Sequence, residues 1–180
     1  MAFGKYGDID LEKLSCYNYS CLGWKRRGNS MDKIVLRNFA IWARRKLTDD
    51  VKKRALEIGQ KNISASEIEE IAYAWFKRII AIRFMEVNGY LYSDVMGLSS
   101  IDDGKAYPDI IDHAEYLFIR QCNKLNEMLP YIFKRLDNYT TLFLPNNLLE
   151  EGSVIRKLAI DIPEDDFKGH VEIVGWLYQY

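Results

Sequence analysis

The sequence contains no apolar run approaching the roughly 18 to 20 residues that a membrane-spanning helix needs. Its N-terminus also lacks a charged segment followed by an apolar one. A cytoplasmic chain with no membrane partner is the expectation. Cysteine is sparse: Cys16, Cys21 and Cys122 are unevenly spaced. Without a secretion signal they read as reduced thiols rather than a disulfide framework. A zinc site wants four Cys or His ligands at short spacings, and the two histidines, His113 and His170, stand far from Cys16 and Cys21. No metal is expected. The four prolines, at 108, 130, 145 and 163, are all isolated, and the eleven glycines make no Gly-x-Gly after a β-branched run. No phosphate or nucleotide cradle can be proposed from them.

What is present describes an ordinary globular protein. A chain of 180 residues, 48% hydrophobic and 28% charged, can bury one substantial core and suits one domain better than two. The formal net charge of −1 hides an asymmetry. From Lys25 to Lys61 twelve Lys or Arg face four Asp or Glu, a net of +8, whereas from Asn62 to Tyr180 eleven face nineteen, a net of −8. Such a division often marks a nucleic-acid or acidic-partner surface.

The stretch Ala72 to Leu91 is the most informative piece. Ile68, Ile71, Ala72, Trp75, Ile79, Ile82 and Met85 recur at three and four, while Phe76, Ile80 and Phe84 make a second apolar face. A helix apolar on two sides belongs at the centre of a bundle. Ser64 and Ser66 stand three residues before Glu67 and Glu69, a doubled capping-box signal, and Gly89 supplies the stop. Upstream, Asp32 to about Ile58 reads as one long amphipathic helix, N-capped by Ser30 and stopped by Gly59. Leu36, Phe39, Ala40, Ala43, Leu47, Val51 and Ile58 fall in one stripe, and Arg37, Arg44, Arg45 and Lys52 fall opposite, a basic ridge facing away from the core.

After a turn-rich connection from Gly97 to Pro108, a further helix is expected from Asp109 to Met128, with Cys122 on its inner face. Short helical pieces are expected at Tyr131 to Leu136, Asn147 to Glu151, Ser153 to Asp161 and from near Asp165. Thr140 to Leu144 is the single β-like run. Residues 1–30, with four glycines, five aromatics and little periodicity, read as an N-terminal extension or poorly ordered arm. Trp176, Leu177, Tyr178 and Tyr180 close the sequence on an aromatic run that is expected to lack part of its packing surface, as in a chain cut from a longer polypeptide.

Several constellations have a plain structural reading beside a functional one. The basic ridge is either a phosphate-contacting surface or a solvated helix face. Arg83 and Glu86, at i and i+3, are either an anchor for a following domain or an ion pair satisfied within the bundle. Asn123, Asn126, Asn146 and Asn147 can be read as ligand hydrogen bonders, although Asn146 suits a helix N-cap better. The pairs Asp102-Asp103, Glu150-Glu151 and Asp165-Asp166 lie in polar segments where carboxylates are normally solvated, with nothing to shift a pKa for acid/base work. His113 with Asp109 or Asp112 and some serine has no nucleophile elbow to make a triad.

Four segments in order carry a resemblance: the Ala72 to Leu91 helix, Ile119-Arg120-Gln121-Cys122-Asn123-Lys124-Leu125-Asn126, Leu144-Pro145-Asn146-Asn147-Leu148-Leu149 through Arg156, and Glu172 to Tyr180. Together they resemble the N-terminal region of the PglX family, the adenine-specific DNA methyltransferases of BREX phage-defence systems, from about Met31 to Tyr180. The resemblance implies a full-length enzyme that uses S-adenosylmethionine to methylate adenine N6, with DNA, the missing catalytic domain and other defence-system proteins as partners. It also shows what this sequence lacks. No Asn-Pro-Pro or Asp-Pro-Pro turn is present to hold an adenine amino group, and no Gly-containing loop is present to cradle the methyl donor. The expectation is a mainly α, multi-helix bundle-like domain over 31–180 with little or no β, no catalytic, cofactor or metal residues of its own, and DNA contacts through Lys33, Arg37, Arg44, Arg45 and Lys52.

Overall fold

The computed structural model describes residues 33–91, 114–128, 130, 133–146, 148 and 150–180. Readings that concern residues 1–30, with Cys16, Cys21 and the Ser30 cap, the Gly97 to Pro108 connection, the carboxylates of residues 102–112, His113 and Asn147 lie outside the described residues.

The longest helix, α1 (Lys33–Glu57), forms where apolar residues recur at three and four. Leu36, Phe39, Ala40, Ala43, Leu47, Val51 and Ala55 are its buried stripe, and Ile58 lies half-buried just past its end. Gly59 takes a left-handed φ of 76°, so that its N–H reaches Leu56 O at 3.2 Å and the Gln60 N–H reaches Ala55 O at 2.8 Å. This pair of bonds is the Schellman termination expected of a C-terminal glycine. The central helix, α2 (Ala65–Val87), begins on Ser64, whose Oγ accepts the Glu67 N–H at 3.2 Å while the Glu67 carboxylate accepts the Ser64 N–H at 2.9 Å. The second half of the doubled signal, Ser66 with Glu69, does not act as the cap. Gly89 ends α2 in the same way as Gly59 ends α1, with Tyr90 N–H on Met85 O at 2.8 Å.

Five further helices follow: α3 (Ala114–Met128), α4 (Asn138–Leu142), α5 (Val154–Asp161), α6 (Glu164–Phe167) and α7 (Glu172–Gln179). Seven helices and no strand occur among the described residues, as the mainly α reading requires. The long helix α1 packs on α2, α5 and α7, and α2 packs in addition on α6 and α7. Trp75, Phe76, Ile79, Ile80 and Ile82 are fully buried, which is the consequence of an α2 apolar on two sides with neighbours on both. Trp75 also meets Phe118 of α3, ring centroids 5.9 Å apart.

Four local expectations are corrected. Thr140 to Leu144 is not β: α4 forms there because Asp137 accepts the Thr140 N–H as an N-cap, and a short helix suffices to bury Phe143 and Leu144 behind it. The described part of Tyr131 to Leu136 is not helical; Asn126 on α3 donates instead to the Phe133 carbonyl, and Phe133 and Leu136 turn inward. Asn146 caps no helix among the described residues, and its amide donates to Glu57 at 3.3 Å. The helical piece near Asp165 is two helices, α6 and α7, separated at Gly169, whose φ is 73°.

The aromatic end finds part of a packing surface within this fold, and Trp176, Tyr178 and Tyr180 are half-buried there. Leu177 is fully buried, Tyr178 packs edge-on against Phe76, and the Tyr178 hydroxyl donates to Lys77 O at 2.9 Å. The Tyr73 hydroxyl returns a bond to Tyr178 O at 3.1 Å.

Candidate functional site

The described residues gather their densest positive charge along one edge of α1. Lys33, Arg37, Arg45 and Lys52 are exposed and Arg44 is half-buried. The spacing 33, 37, 44 keeps three cations on one line of a helix with 3.6 residues per turn. That line borders the buried stripe instead of opposing it, which corrects the expectation of a ridge facing away from the core for Arg37 and Arg44, whereas Arg45 and Lys52 are exposed on the far side as expected. Each of the three lies over an aromatic ring: Lys33 Nζ is 3.8 Å from the Trp176 ring, Arg37 Cζ 5.4 Å from Tyr180, and Arg44 Cζ 4.8 Å from Tyr73. Lys77 approaches the same Tyr73 ring at 4.7 Å. All four distances lie within the range where a cation is attracted to the face of a ring.

Arg45 and Lys52 stand further round the helix. With Arg44 they line an open groove of about 600 Å³, closed on the other side by Ala72, Tyr73 and Glu69 of α2 and by Tyr180. Lys52 pairs with Asp49 at 3.8 Å, an exposed contact that adds little to stability. The Thr48 hydroxyl donates to Arg44 O at 2.9 Å. Three cations against Asp49 and Glu69 leave the groove net positive, suited to an anion such as a phosphate and not to a metal ion. Among the described residues no three His, Cys, Asp or Glu side chains converge to hold a metal.

No activated nucleophile accompanies the groove. Cys122 is buried on α3, and burial pushes its thiol up to about 12, an effect that the nearby Arg78 only partly offsets. The thiolate, which is the reactive form, is therefore scarce at neutral pH. The carboxylates of Glu150, Glu151 and Asp165 remain at the surface, and Asp165 pairs with Lys168 at 3.7 Å. Arg83, by contrast, is buried within the bundle, bonded to Glu86 at 2.9 Å and to Glu164 at 3.1 Å. It anchors α6 within this fold. Sequence reasoning missed Glu164 and Tyr73, and it singled out Trp176 and Tyr180 without joining them to the α1 cations, for which the i, i+4 spacing shared by Lys33 and Arg37 with Trp176 and Tyr180 was the available signal.

No family model matches the chain. Among curated proteins, the adenine-specific methyltransferase PglX of Lacticaseibacillus casei (strain Zhang) is 38% identical to it over 175 residues, covering 76% of this chain and 14% of that protein. The adenine-specific methyltransferase BrxX of Escherichia coli O9:H4 (strain HS) is 32% identical over 157 residues, covering 71% of this chain and 12% of its own length. This helical chain is thus related in sequence to the PglX and BrxX adenine-specific methyltransferases, of which it spans only a small part.

Proposed function

We propose that this chain forms the N-terminal helical region of an adenine-specific (N6) DNA methyltransferase of a BREX-type phage-defence system, where it acts as a scaffold that helps position DNA and does not transfer methyl groups alone. The observation that carries the reading is the cationic edge of α1 in a chain related to these enzymes. Lys33, Arg37, Arg44, Arg45 and Lys52 would meet phosphates, each neutralised phosphate releasing counterions. In the full-length enzyme S-adenosylmethionine supplies the methyl group. The described residues do not fit that donor: none lies in a strand, so no strand-to-helix loop is formed to cradle it, and the α1 groove is open and lined by cations. No step of the chemistry is assigned to this chain.

The test is a titration with a labelled duplex oligonucleotide at two salt concentrations. Binding should weaken steeply with salt, and the combined Arg37→Gln, Arg45→Gln and Lys52→Gln variant should flatten the log–log slope by up to about 0.9 for each phosphate that is no longer neutralised. An unchanged slope would remove the phosphate contacts. A second reading, a protein-docking module that binds the catalytic domain or a defence partner without touching DNA, is favoured by one observation: Lys33, Arg37 and Arg44 already lie over aromatic rings of this chain. It expects no duplex binding at either salt concentration.

A further inference from the structure

The cations of α1 and the rings of α7 are matched turn for turn. Lys33 and Arg37 are four residues apart on one helix, and Trp176 and Tyr180 are four apart at the end of the other, so each cation meets its own ring at 3.8 and 5.4 Å. Arg44 joins the same arrangement through Tyr73, whose hydroxyl donates to Tyr178 O of α7. Two of the five cations therefore rest directly on the α7 end of the chain, and Arg44 rests on an α2 ring that is hydrogen-bonded to it. Ile173 and Leu177 are fully buried and seat the helix, while Trp176 and Tyr180, half-buried, face the cations.

A long cationic side chain loses rotamer freedom whenever it is fixed by a ligand. One already resting on a ring has lost part of that freedom beforehand, and its outward N–H groups stay free to meet an anion. Pre-ordering of this kind strengthens binding without any new contact. Linkage makes the effect mutual: whatever α7 adds to anion affinity, a bound anion must return as stability of α7 docking.

We propose that Trp176 and Tyr180 are positioning residues for the anion-contacting edge of α1, so that nucleic acid bound along α1 and docking of α7 stabilise one another. The inference rests on the phosphate-contact reading above and adds to it that the affinity depends on two residues that touch no phosphate.

The experiment uses the full 180-residue chain and a labelled duplex oligonucleotide at low salt. Saturating duplex should slow amide hydrogen exchange across residues 172–180. Trp176→Leu combined with Tyr180→Leu should bind roughly two- to five-fold more weakly, the factor expected for exposed cation–ring contacts, while Trp176→Phe with Tyr180→Phe, which keeps both ring faces, should restore binding. A loss of folding alone would not produce rescue by Phe together with ligand-dependent protection of α7. If the Leu variant does not fold, the exchange measurement on the unaltered chain decides. Salt-dependent binding with unchanged exchange at 172–180 and unchanged affinity of a folded Leu variant overturns this inference and leaves the phosphate contacts standing. Absence of any duplex binding by the unaltered chain overturns both.

Discussion

Arg83 on α2 and Glu164, the first residue of α6, meet at 3.1 Å although they lie 81 positions apart in the chain. The same guanidinium bonds Glu86 one turn along α2 at 2.9 Å, so that one buried cation bridges two carboxylates. Asn88 completes the junction. Its amide nitrogen donates to Phe84 O at 2.8 Å and Phe167 O at 3.0 Å, and its oxygen accepts the Gly169 N–H at 3.0 Å. The end of the central helix is thereby a polar clamp on α6 and on the turn that leads into α7, which carries the rings facing the cationic edge.

The two ends of the bridge should respond differently to substitution. Arg83 is only 2% exposed, whereas the Glu164 side chain is 53% exposed and screened by water. Arg83→Met strips the cation from two carboxylates, one of them largely buried, and should cost about 3 kcal/mol. Glu164→Gln keeps the shape and should cost less than about 1 kcal/mol. Urea unfolding midpoints measure both. Equal losses would mean that the bridge does not act as the anchor.

Gly89→Ala isolates backbone strain from crowding. A Cβ built at this position meets nothing within 4 Å, yet φ is 69°, where L side chains are disfavoured. A loss of about 1 kcal/mol is expected, wholly from the left-handed conformation. The comparison is with Gly175, which sits within α7 with open space around its own Cβ position. Gly175→Ala should be stabilising, by about 1 kcal/mol at most, because glycine is the poorer helix former. Thermal unfolding of the two variants should therefore move in opposite directions.

What could be read from the sequence was what is written locally. The Ser64 and Glu67 cap, the Gly59 and Gly89 stops and the three-and-four recurrence of α1 and α2 each involve residues within a turn or two, so the chain specifies them before any tertiary contact forms. Thr140 to Leu144 misled because β-branched residues suggest a strand, while the deciding contact is the Asp137 cap just upstream. Glu164 could not be paired with Arg83 by inspection, since only the tertiary fold brings position 164 to position 83. The candidate site divides in the same way. All five cations were legible as charge on one helix, but the rings beneath three of them come from α2 and from the far end of the chain.

The buried thiol of Cys122 should make the fold lose stability in mild alkali. Burial holds its pKa at about 12 in the native chain, above the ordinary thiol value of 9.0, while the unfolded chain ionises near that ordinary value. Between those limits the unfolded state has shed the proton and the folded state has kept it, so unfolding is favoured as pH rises. Below pH 9 the group contributes no slope. Above it stability should fall by roughly 1.4 kcal/mol per pH unit. Burial also raises the Tyr178 hydroxyl, which adds its own loss only above the ordinary tyrosine value of 10.0. Urea unfolding between pH 8 and pH 10, compared with Cys122→Ala, therefore reports this cysteine. Cys122→Ala should start lower at pH 8 because it leaves a small cavity, and it should then show a flatter decline than the unaltered chain across this window. Parallel declines would mean that the folded thiol ionises as readily as the unfolded one, and that α3 does not shield Cys122 from water.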